Sequence, residues 1–140
     1  MATKIRPIVF KVNEPEGFVM NADNATISNN LASWEGPNYP AGYNGNGKTL
    51  QIIVKDEGCS CAILDLYYCN TDGNVNGPNA ISSWNNPNSP NDIPVGTYTT
   101  TLSNNPAGGD YGKYITLRRS GPDSTIDSTW LSKIEFRIID

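Results

Sequence analysis

The sequence predicts an all-β fold: a single-domain antiparallel β-sandwich, jelly-roll-like, with long Asn/Gly/Pro-rich loops. Three observations carry this expectation. Apolar residues recur at every second position over short runs, the period of a pleated strand with one face inward. Helical periodicity is nearly absent. Eighteen asparagines, 13 glycines and 10 prolines gather between the runs, where turns need them.

Taken in chain order, Ile8, Phe10 and Val12 alternate with Val9 and Lys11, giving a first strand after Pro7. A short helical turn is expected over residues 29–34, Asn-Asn-Leu-Ala-Ser-Trp. Leu50, Ile52 and Val54 alternate with Gln51, Ile53 and Lys55 in a second strand. Ala62, Leu64, Leu66 and Tyr68 form one face of a third, with Ile63, Asp65 and Tyr67 on the other. Residues 70–94 run longer than a compact domain leaves irregular, so they hold either a short strand near Ala80–Trp84 or a functional loop. The Thr-rich stretch Val95–Leu102 has the β-branched content of a half-solvated strand. Ile115 and Leu117 alternate with Thr116 and Arg118, and a second helical turn is placed near Asp123–Ser128. The chain closes with Ile134, Phe136 and Ile138 inward and Lys133, Glu135 and Arg137 outward, a strand expected to neighbour the first one.

Composition narrows the function. The 140 residues suit one domain, 1–140, large enough for a core without metal or disulfide support. Charged residues make up 17%, against about 25% in an average domain, and the net charge is −4. An acidic chain with scattered Lys and Arg is a poor match for a phosphate backbone, so no nucleic acid partner is expected. No stretch approaches the roughly 20 apolar residues of a membrane helix, so no membrane span is expected. Residues 1–12 lack the apolar core of a secretory signal. The chain is therefore read as made in the cytoplasm and destined for a virion or other extracellular assembly, unless it is a mature chain started by an expression Met.

There is no histidine. That removes the usual neutral-pH proton shuttle, the Ser-His-Asp and Cys-His schemes and most zinc sites. Carboxylate pairs remain (Glu14 with Glu16, Asp56 with Glu57, Asp123 with Asp127), but each sits in a turn-like polar segment, and the expectation is that the chain is not an enzyme. Cys59, Cys61 and Cys69 are an odd set, read either as packed thiols or as one disulfide that requires a bend.

Two constellations stand out. Asp72-Gly73-Asn74-Val75-Asn76-Gly77 matches the first half of a calcium loop, which makes Asp72, Asn74 and Asn76 the metal candidates and calcium the cofactor candidate. The twelfth position is Ser83 instead of Glu and the set brings a single charge, so an ordinary Asn/Gly turn without cofactor is the competing reading. The second constellation is aromatic residues within polar loops: Trp34, Tyr39, Tyr43, Trp84 beside Asn85 and Asn86, and Tyr111. Such residues serve as lids of a core, as anchors of a protein interface, or as stacking platforms for a sugar with Asn pairing its hydroxyls. The expected function is a non-enzymatic, self-assembling structural subunit of the capsid-decoration or fibre type, whose partners are copies of itself or other subunits. The alternative is a carbohydrate-binding module or lectin with a glycan partner.

Overall fold

The computed structural model describes residues 18–35, 48–69, 80–102, 114–121 and 123–139. The strand expected over Ile8–Val12 lies outside the described residues, as do Tyr39, Tyr43, Tyr111, Asp72, Asn74 and Asn76. Nine strands are described: β1 (Phe18–Met20), β2 (Thr26–Ser28), β3 (Leu31–Glu35), β4 (Thr49–Val54), β5 (Ile63–Cys69), β6 (Ser82–Asn85), β7 (Gly96–Thr101), β8 (Tyr114–Ser120) and β9 (Ile134–Ile139). A 3-10 turn over Ala22–Asn24 and a one-turn helix, α1 (Ser128–Leu131), complete the described elements.

The strands form two antiparallel sheets, ordered β1-β9-β4-β7 and β2-β3-β8-β5-β6. The fold is all-β, as the alternation predicts. In the first sheet, Leu50, Ile52 and Val54 of β4 sit beside Ile138, Phe136 and Ile134 of β9. All six are buried, while Gln51, Ile53, Glu135 and Arg137 between them are half-buried. The facing sheet contributes Ala32, Trp34, Leu64, Leu66, Ile115 and Leu117. Trp34 and Phe136 meet across the layers with ring centroids 6.4 Å apart. Each such fully buried side chain stabilises the fold by about 1.5–3 kcal/mol relative to exposure.

Two sequence expectations are corrected. Residues 29–34 form no helical turn: Ser28 pairs with Leu31, and Asn29-Asn30 is the two-residue turn of the β2–β3 hairpin. Asn29 takes φ 55, a conformation that asparagine tolerates better than most residues. The second helical turn falls a few residues later than expected, over Ser128–Leu131. Asp127 starts it by accepting a hydrogen bond from the Trp130 amide at 2.8 Å.

The two sheets differ in exposure. Outer positions of β7 (Thr97, Thr99 and Thr101) are exposed. In the second sheet, Ser33, Thr116 and Tyr67 point away from the layer of Leu66 and Leu117, yet they too are buried. Strand β8 gives way to Gly121, just past its end, whose φ of 123 and approach to Ala62 leave no room for a side chain: an added Cβ would lie 2.6 Å from Ala62 Cβ.

Candidate functional site

The structure separates the sequence-expected contact residues by role. Trp34 is 1% exposed, and its indole N–H donates to Asn21 O at 2.8 Å. A ring sealed on both faces serves the core. Trp84 is also buried and packs on Tyr98 with centroids 5.3 Å apart, which joins β6 of one sheet to β7 of the other. Asn86 is a buried tie: its Nδ2 donates to Cys61 O at 2.9 Å and Asn91 O at 2.8 Å, and its Oδ1 accepts from the Asn88 amide at 2.8 Å. Asn85 alone of the described set presents its side chain to solvent.

Sequence reasoning missed Arg119. It lies on the same face as Ile115 and Leu117 and is 2% exposed. Nε donates to Ser60 O at 2.8 Å, NH2 to Ser60 Oγ at 3.1 Å, and NH1 to Thr125 O. NH2 also lies 3.3 Å from Asp123 Oδ2. The in/out alternation was the available signal, since it puts this charge on the inward face. The Asp123/Asp127 pair is used structurally, one carboxylate on Arg119 and the other capping α1, and both residues are exposed. A groove of about 220 Å³ beside them is lined by Gly58, Lys133 and Trp130, with Lys133 Nζ donating to Glu57 O at 2.9 Å.

No disulfide joins the cysteines; all three remain thiols and are buried. Burial is the main cause that lifts the Cys59 thiol to about 12 and the Cys61 thiol to about 11, against an ordinary 9.0. Such thiols are poor nucleophiles at neutral pH. Cys69 Sγ lies 3.0 Å from Thr116 Oγ1. Among the described residues, no group of three or more Cys, Asp or Glu side chains is placed to hold a metal ion. None of the described helices is long and apolar enough to cross a membrane.

What the fold does offer is an edge. Among the described residues, four strands end the two sheets: β1, β2, β6 and β7. β1 and β2 have 3 residues each and β6 has 4, whereas β7 has 6. Its sequence, Gly-Thr-Tyr-Thr-Thr-Thr, contains no charge and no proline, the devices that usually blunt a sheet edge. β6, Ser-Ser-Trp-Asn, lies on the same flank through the Trp84–Tyr98 contact and is uncharged as well. Just before β7, Val95 is 56% exposed, the large apolar side chain most open to water among the described residues.

No protein family, curated protein or solved structure matches this chain.

Proposed function

We propose that this protein is a non-catalytic, self-associating structural subunit, of the kind that decorates or builds a virion or another extracellular assembly. The observation that carries the reading is the six-residue, uncharged β7, which ends its sheet among the described residues. The outward N–H and C=O groups of a sheet edge are a template for another strand, and soluble monomers usually protect such an edge. Neutral Thr and Asn surfaces make contacts that salt does not screen. In this reading the two sheets are a jelly-roll-like scaffold, and the Asn/Gly/Pro-rich connectors meet neighbouring subunits.

The carbohydrate-binding alternative gains no support from Trp34 and Trp84, which are both buried. It would rest on Tyr39, Tyr43 and Tyr111, with Asn85 as a hydroxyl partner. Catalysis through carboxylates gains no support from Asp123 and Asp127, which act as a guanidinium partner and a helix cap.

The test is size-exclusion chromatography with light scattering over a broad concentration range. Mass that rises with concentration supports the proposal. A strict monomer at the highest soluble concentration contradicts it.

A further inference from the structure

We infer that β7 pairs with β7 of a second copy across a twofold axis at Thr99, in an antiparallel seam that joins two four-stranded sheets into one. The inference rests on the self-association reading above and adds its partner, its strand and its register.

The phase of the edge follows from bonds inside the sheet. The Leu102 amide donates to Lys48 O at 2.8 Å, one step beyond the Thr49–Thr101 pair. Antiparallel pairs alternate between hydrogen-bonded and non-bonded, so Thr100, Tyr98 and Gly96 direct their N–H and C=O groups toward β4. Thr97, Thr99 and Thr101 then direct theirs away from β4, toward the open edge. The neighbouring pair agrees. The Lys55 amide donates to Lys133 O at 2.7 Å, so odd residues of β4 bond to β9 and its even residues face β7.

The same three threonines carry the exposed outer side chains of β7. Directly opposed residues in an antiparallel pair share a face, so a second β7 must match odd positions with odd positions. Centring on Thr99 does this throughout: Thr99 opposes its own copy, and Thr97 opposes Thr101 in both directions. All three outward-facing residues become hydrogen-bonded pairs, giving roughly six interstrand bonds at two per pair. A slip of two residues either way leaves one of the three facing beyond the end of the strand. Thr-on-Thr contacts are favourable cross-strand pairs, and no like charges meet. The flank beneath, β6, is neutral too. A single strand pair buries less than the roughly 1,200–2,000 Å² of a stable free-standing interface, so the seam is expected to be weak in dilute solution and firm where copies are concentrated.

Charge placement reads the register. In Thr99→Lys two ammonium groups meet at the axis, and in Thr97→Lys/Thr101→Lys like charges meet twice. In Thr97→Lys/Thr101→Glu each charge meets its opposite across the seam, while the two substituted positions within one chain lie roughly 13 Å apart along the strand. Light scattering on these variants, with circular dichroism confirming the fold, should show association weakened about tenfold or more in the first two. Association should stay within about threefold of the parent in the third. If the parent associates while Thr99→Lys and the double-Lys variant associate equally well, the seam is overturned and self-association stands. If the parent never associates, the structural-subunit reading itself fails, and the seam with it.

Discussion

The Arg119 guanidinium lies over the Trp130 ring, its carbon 4.4 Å from the ring centroid, and pins the β8 end to the 58–61 segment through Ser60. A lysine has one compact charged head and cannot reproduce this fork of bonds while stacking. Arg119→Lys should therefore cost about 2–3 kcal/mol in urea unfolding. Asp123→Asn should cost under about 0.5 kcal/mol, because the Asp123 side chain is 67% exposed and its ion pair is solvent-screened. Equal losses from both substitutions would contradict this division of roles.

Asn86 gives a second stability prediction. Asn86→Asp would replace an amide donor with a carboxylate facing the Cys61 and Asn91 carbonyls in a buried site. The expected loss is about 2–4 kcal/mol by chemical denaturation. Asn85→Asp, next door but exposed, should change stability by less than about 0.5 kcal/mol.

Gly121 should not accept alanine. At φ 123, with Ala62 N 2.7 Å from an added Cβ, the backbone must move, and Ala62 N also donates to Ser120 O at 2.8 Å. Gly121→Ala should lower stability by about 2–4 kcal/mol, read from the thermal midpoint or urea curve.

The buried thiols make stability fall at high pH. The folded state holds the Cys59 and Cys61 protons up to about 12 and about 11, whereas the unfolded chain releases them near 9.0. The unfolded state thus gains more from deprotonation. Stability present below pH 9 is lost progressively as pH rises toward 11–12. Burial also raises the Tyr67 hydroxyl above its ordinary 10.0, which adds to the loss at the upper end of that window. Urea midpoints of the parent and of Cys59→Ala/Cys61→Ala, taken from pH 8 to 11, should diverge, with the shallower decline in the variant. Parallel curves would remove the thiols as the cause.

Where one face is wet, the sequence displayed its strands openly. β4 and β9 alternate cleanly because Gln51 and Arg137 stand half-buried between buried positions, and β7 because Thr99 is exposed between the half-buried Tyr98 and Thr100. β6 was legible through the improbable length of residues 70–94, which made a short strand near Ala80–Trp84 one of two readings; the strand is there, at Ser82–Asn85. β3 was not legible: Ala32, Ser33 and Trp34 are consecutive and all buried, so its period of two has no polar contrast. The signal that remained was the Asn29-Asn30 pair, a hairpin turn by composition. The site followed the same rule. Loop-like aromatic positions drew attention to Trp34 and Trp84, but their surroundings turn both rings inward. β7, whose significance lies in what it lacks, was read simply as a half-solvated strand.

Amide hydrogen exchange, resolved by residue, tests the central claim on the unaltered chain. At low concentration Tyr98 and Thr100 should be protected, because their amides bond to β4, while Thr97, Thr99 and Thr101 exchange freely. As concentration rises or the native assembly forms, these three threonine amides should become protected together. If Thr99 exchanges as fast in the assembled state as in the dilute one, β7 is not the surface through which copies meet.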